Sequence, residues 1–192
     1  MYKLCKTEQS ALRQRELERG LLEVMSGMRY EDITVSDLCQ KMNIPRKSFY
    51  RYFTSKDGAL HALIDHTLME FGASDTLSRG GKRTLQGDLS GFFQFWVQHK
   101  LLLEALGKSG LSGVLIERAI QYAISDDVFP RRFMSGESLQ MGQRVVMFSV
   151  CGLMTMMLQW HTAGCLESIS EMGAISARLL TQPLFPGADK LM

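Results

Sequence analysis

One stretch limits the fold more than any other: Thr34 to Leu60, which reads TVSDLCQKMNIPRKSFYRYFTSKDGAL. Val35, Leu38, Cys39 and Met42 recur at helical spacing and predict a short amphipathic helix. Thr34 is placed to cap it, with Asp37 three residues on as the acidic half of a capping box. Met42-Asn43-Ile44-Pro45 ends it. Asn43 tolerates the left-handed conformation a tight turn needs. Pro45 suits the first turn of a new helix, where its missing N–H is not required. Helix, tight turn, helix is an arrangement whose second helix can enter the major groove of DNA.

The second helix has two distinct sides. At about 100° per residue, Phe49 and Phe53 share one side and anchor a core. Lys47, Ser48 and Arg51 fall opposite, with Tyr50 and Tyr52 on the flanks. Lys41 to Lys56 holds five basic residues and no acidic one. A short helix anchored by aromatics and faced with cations and hydroxyls matches a phosphate-lined groove. The blander alternative is a small helical domain with a solvated basic face.

These residues resemble the tetracycline-repressor (TetR/AcrR) family of bacterial regulators. The match runs through Ile33-Thr34-Val35, Asp37-Leu38-Cys39, Asn43-Ile44-Pro45-Arg46, Ser48-Phe49-Tyr50, Tyr52-Phe53, Ser55-Lys56-Asp57 and Leu60. It is specific from about Leu12 to Leu68 and rests on helical layout beyond that. Asn43 stands where the family usually has Gly, Pro45 where it has a Ser or Thr cap, and Cys39 where it has Ala. The resemblance implies that Thr34, Arg46, Lys47, Ser48, Tyr50, Arg51, Tyr52 and Lys56 contact DNA. Lys56 and the adjacent backbone amides would hold a phosphate, as helix N-termini can.

Charge agrees with that placement. The net charge of +2 hides eleven Lys and Arg against seven Asp and Glu in residues 1–56, and eleven against thirteen in residues 57–192. Basic charge therefore collects where the motif lies. Cys5, Cys39, Cys151 and Cys165 form no CxxC pair, so neither a disulfide framework nor a zinc site is expected, and Cys39 and Cys151 read as buried thiols. The first ten residues lack a signal-peptide core. The richest apolar run, Val145 to Leu158, is too short to span a membrane. A cytoplasmic protein is expected, with no cofactor.

Along the chain, helical patterns alone appear, so the expected fold class is all-α. Residues 1–7 read as a loose arm in which Lys3 and Lys6 could touch DNA, although a frayed terminus is the simpler reading. Helices are expected over Glu8 to Ser26, Ser55 to Gly72, Asp88 to Leu106, Leu111 to Ser125, Glu137 to Ala163 and Ser168 to Leu180. The first takes its buried stripe from Ala11, Leu12, Leu21, Leu22 and Met25, with Arg13 to Arg19 solvated. Tyr30 and Ile33 close a three-helix core. Ala73 to Gly87 and Asp126 to Gly136 read as loops, and Pro183 and Pro186 end ordered structure. His61 and His66 read as ordinary surface or junction residues.

The organisation this implies is a helix-turn-helix domain at 1–54, a connecting helix at 55–72, and an antiparallel helical effector-binding and dimerisation domain at 73–192. Phe92, Trp96, His99, Leu103, Met147, Cys151 and Met154 are candidate lining for an apolar ligand pocket, although such a stripe also reads as plain core. By resemblance, the last two helices pair with their copies as a four-helix interface, with Met157, Trp160, Met172, Gly173, Ser176, Ala177 and Leu180 as candidates. The alternative is packing within one subunit. Double-stranded DNA, a second copy and a small apolar or amphipathic effector are the expected partners, and no membrane is expected. No phosphate loop, GxSxG, HExxH or metal-spaced cluster points to an enzyme. Two other readings stand beside a repressor: a co-regulator or activator acting through a protein partner, and a helical interaction module without specific DNA binding.

Overall fold

The computed structural model describes residues 1–74, 84–125 and 139–182. Among them are nine α-helices: α1 (Glu8–Gly27), α2 (Val35–Lys41), α3 (Arg46–Tyr52), α4 (Lys56–Ala73), α5 (Leu85–Gln98), α6 (Lys100–Lys108), α7 (Ser112–Ala123), α8 (Leu139–Thr162) and α9 (Ile169–Thr181). A 3-10 turn at Tyr30–Asp32 separates α1 from α2. The all-α expectation holds. The expected loop at Asp126 to Gly136, most of that at Ala73 to Gly87, and the end at Pro183 and Pro186 lie outside the described residues.

The chain forms two compact units. The first comprises Met1–Glu70 and Lys100–Tyr122. In it α1 packs on α2 and α6, and α2 on α3. Leu21, Met25, Ile33, Leu38, Phe49, Phe53, Ile64, Leu102, Leu106 and Leu115 are fully buried there. Tyr30 is buried too, as expected for a residue closing the three-helix core. The stripe of α1 differs from the sequence reading. Leu12 is 60% exposed and Ala11 is exposed, while Gln14, Leu17 and Glu18 are buried. The cause is pairing: Glu18 lies 2.9 Å from His66 Nδ1, so a carboxylate can occupy an inward position. His66 is thus a packed partner rather than a surface residue.

The second unit comprises Phe71–His99 and Ala123–Met192, with α5 packed on α8 and α9. Phe92, Phe93, Phe95, Trp96, Met154, Met157, Trp160 and Met172 form its core. Gly173 is where α9 comes closest to α5: a Cβ there would overlap Ser90 Oγ. The helix expected over Asp88 to Leu106 is instead two. It begins earlier, at Leu85, because Thr84 caps it by accepting from Gly87 N. It stops at His99, whose ring stacks on Phe95 at 4.2 Å with Nδ1 2.9 Å from the Phe95 carbonyl. No Gly or Pro marks that stop.

α8 corrects another expectation. By length and composition, Gln140–Thr162 is apolar enough to cross a membrane. Scattered Gln143, Arg144, Thr155 and Gln159 break the run in sequence but not in average. Its two sides differ: Met154, Met157 and Trp160 are buried, whereas Val145 and Phe148 are 56% and 70% exposed.

Candidate nucleic-acid interface

The first unit builds a helix-turn-helix by the local chemistry the sequence announced. Thr34 caps α2 through a complete box: its hydroxyl accepts from Asp37 N at 3.1 Å, and Thr34 N donates to Asp37 Oδ2 at 2.8 Å. The Thr34 hydroxyl also donates to Asp37 Oδ2 at 2.6 Å, and that bond, with the one from Thr34 N, holds the Asp37 carboxyl below its ordinary range. Asn43 takes a left-handed φ of 50° in the turn. Pro45 is the residue before α3, and its carbonyl accepts from Ser48 N at 2.8 Å.

α3 is locked by its aromatic side. Phe49 and Phe53 are fully buried, their rings 5.1 Å apart, and Phe49 meets Tyr50 edge-on at 5.7 Å. Arg46, Lys47, Tyr50 and Arg51 are exposed, and Ser48 is half-buried. Arg46 lies over the Tyr50 ring and reaches its hydroxyl at 3.4 Å, which raises the guanidinium above its ordinary range. Lys47 and Arg51 thus stand exposed on the outer side without a partner among the described residues, beside an Arg–Tyr pair.

Three candidates sit differently from this group. Tyr52 is buried, with its ring against Phe53. It packs the end of α3 rather than facing outward. Thr34 is exposed, but its hydroxyl and amide are both committed to Asp37. Lys56 turns inward: Nζ donates to the Tyr30 and Ile33 carbonyls at 2.6 Å each and lies 4.2 Å from the Tyr30 ring. Two of its three ammonium protons are taken by these carbonyls. Tyr30 in turn donates to Asp57 at 2.6 Å, and burial with that bond pushes its phenol pKa upward.

Sequence reasoning missed the arm. Residues 1–7 are not loose: Lys3 N donates to the Tyr52 carbonyl at 3.0 Å, and Thr54 N and Oγ1 donate to the Met1 carbonyl at 3.2 and 2.7 Å. Tyr2 pairs with Phe53 in a single antiparallel bridge. Its hydroxyl donates to Asp65 at 2.8 Å. Burial and that bond push the phenol up to about 12. Asp65 is also held by Arg118 of α7 through both oxygens. Backbone pairing of this kind leaves no periodic signal over six residues.

The pocket and interface candidates are scattered. Phe92, Trp96 and Met154 are buried in the second unit, Leu103 belongs to the first, and Met147 and Cys151 are exposed. Cys151 is therefore not the buried thiol expected, because it lies on the outward side of α8 with Phe148. Cys39 is buried, which raises its thiol pKa. Met157, Trp160, Met172, Gly173 and Ser176 are all buried within the chain, Ala177 is half-buried and Leu180 is exposed. The large apolar residues that α8 and α9 leave exposed are Met141, Val145, Met147, Phe148, Ile175, Leu179 and Leu180, so of the interface candidates Leu180 is among them. Both sides of α8 are apolar, so one sequence could not say which faces out. Among the described residues no cluster of His, Cys, Asp and Glu could hold a metal.

No family model and no curated protein matches the chain. Solved structures do. A TetR-family transcriptional regulator from Streptomyces coelicolor superposes with a TM-score of 0.58 at 17% identity, over 87% of this chain and 80% of its own. The fatty acid degradation regulator FadR from Bacillus halodurans gives 0.58 at 14%, over 94% and 98%. FadR from Bacillus subtilis, in complex with stearoyl-CoA, gives 0.54 at 14%, over 89% and 99%. The chain has the fold of TetR-family regulators.

Proposed function

We propose that this chain is a TetR-like transcriptional regulator that binds a palindromic operator as a homodimer and represses until a small effector binds. The observation that carries this reading is α3: Lys47 and Arg51 stand exposed on a helix whose opposite side is pinned by two fully buried phenylalanines. A rigid helix with outward cations fixes donors where guanine edges and phosphates lie. Arg46, Ser48 and Tyr50 supply further donors, and Lys56 offers its remaining proton to a phosphate. Tyr52 and Thr34 act by holding α3 and α2 in place.

Functionally, residues 1–54 form the reading head, 55–72 the connector, and 73–192 the effector and pairing part except Lys100–Tyr122, which pack in the same unit as the head. The dimer surface is the outward side of α8 and α9, where Val145, Phe148, Ile175 and Leu179 leave apolar area in water. Two heads are needed to reach successive major grooves, roughly 34 Å apart. The effector is apolar or amphipathic. The aromatic cluster of Phe71, Phe92, Phe95 and Trp96 offers the surface, and Trp96 Nε1 is a buried donor with no partner among the described residues. FadR's stearoyl-CoA is a molecule of that kind. An effector that weakens DNA binding must be weakened by DNA to the same factor. A cytoplasmic location follows from a DNA target, and no catalytic step is part of the reading.

The test is selection of bound duplexes from a random pool, followed by salt titration of the winner. A two-fold symmetric motif with steep salt dependence supports the reading. An unenriched pool refutes it.

A further inference from the structure

The docked arm leaves a groove of about 930 Å³ against the start of α1 and the end of α3. Lys3, Lys6, Arg13 and Arg51 line it, with Thr7, Gln9 and Ser10 as polar wall. All four cations are exposed. Glu16 is the one acid among the lining residues, and it is taken by Arg13 at 2.6 Å. We propose that this groove is a second phosphate-binding surface, which takes the sugar-phosphate backbone of duplex DNA beside the half-site read by α3. The inference rests on the DNA-binding reading above and extends it to the flank.

Three observations carry it. The groove and the reading helix share Arg51, so the two basic surfaces are continuous. The arm is seated by backbone bonds from Met1 and Lys3 to Tyr52 and Thr54, and by the Tyr2 hydroxyl on Asp65. Its lysines therefore reach DNA already ordered, without the entropy cost of folding a tail on binding. Gly58 shows how closely the seat fits: a Cβ there would overlap the Met1 carbonyl oxygen. A purely structural role, capping the end of α3, explains Lys3, whose Nζ lies 3.4 Å from the Tyr50 carbonyl. It does not explain Lys6, nor a groove lined by four cations and one acid, which leaves three cations after the Arg13–Glu16 pair. A polyanion does.

The experiment compares wild type, Lys3→Gln/Lys6→Gln and Gly58→Ala on the duplex the wild type selects. The duplex is either trimmed to the motif edge or extended by ten base pairs. The glutamines keep every backbone bond of the arm. Gly58→Ala keeps both lysines but displaces their seat. Two lost phosphate contacts shallow the salt slope by about two. Between 50 and 200 mM salt the wild type should therefore lose roughly 12-fold more affinity than either variant on the extended duplex. On the trimmed duplex the three should agree. Wild-type binding with equal slopes on both duplexes overturns the flank contact and leaves the DNA-binding reading intact. A slope lost in the double variant but kept in Gly58→Ala overturns the docked arm in favour of a loose one. A wild type that binds no duplex at low salt sinks the underlying reading itself.

Discussion

Phe148→Glu should dissociate the proposed dimer while leaving the subunit folded. Phe148 is 70% exposed on α8, so the chain's own packing uses little of it. A phenylalanine can bury about 200 Å², which leaves roughly 140 Å² in water. At about 25 cal/mol per Å², covering it stabilises a dimer by roughly 3.5 kcal/mol per copy. An isologous interface uses the residue twice, giving about 7 kcal/mol as an upper bound, since association has its own costs. Half of that still raises the dissociation constant about 300-fold. Glutamate adds two like charges near the axis, which works in the same direction. Gly173→Glu behaves differently. Gly173 sits against Ser90 in the chain's own core, so that variant should unfold rather than dissociate. The assay is sedimentation velocity across a concentration series, with helical content checked by circular dichroism. Operator titration should then show loss of high-affinity binding, because one head engages at a time. A wild type that is already monomeric at tens of micromolar concentration, or a variant with an unchanged dissociation constant, refutes the assignment of this surface.

Other consequences are as direct. Lys56→Met keeps the stem but removes the ammonium from the Tyr30 and Ile33 carbonyls; denaturant unfolding should show a loss of about 2–3 kcal/mol, and the salt slope for DNA should fall by about one. An unchanged midpoint would mean those two bonds carry no net stability. Lys47→Ala or Arg51→Ala should each relax preference at one base position per half-site by about 1–3 kcal/mol, read from the selected motif; identical motifs would place the readers elsewhere. The Asp37 carboxyl lies below its ordinary range in the fold, so its contribution is present above the unfolded value near 3.9 and is lost as pH falls through the lower folded value. Asp37→Asn should therefore be less stable than wild type at neutral pH, with the gap closing as acid protonates the wild-type Asp37; a constant gap at all pH values would deny the box its charge.

The reading helix was legible because its signals are local. Capping by Thr34 and Asp37, the left-handed turn at Asn43 and the burial of Phe49 and Phe53 each depend on residues within four positions of one another. What the sequence hid depends on distance. Lys56 looks like a free cation at a helix start, yet its partners are the carbonyls of Tyr30 and Ile33, more than twenty residues back. The break at His99 comes where its ring stacks on Phe95, with no Gly or Pro to announce it. α8 is apolar on both sides, so its composition did not say which side packs inward, and the described residues cover the side of Met154, Met157 and Trp160.

The buried polar groups of the first unit follow the same logic and bear on how the arm stays seated. An apolar stripe lets α1 slide or rotate with little penalty, whereas Glu18 beside His66, with Arg15 at 3.8 Å, fixes one register on α4. A buried carboxylate without such partners costs several kcal/mol, so every other register is disfavoured by that amount. Asp65 does the same for α7 by gripping Arg118, whose guanidinium the bond raises above its ordinary range. Tyr2 donates to the same carboxylate from the arm. One side chain of α4 therefore fixes both the helix behind it and the segment that carries Lys3 and Lys6. The arm is seated as firmly as that pair is formed, and apolar packing alone would give it no such dependence.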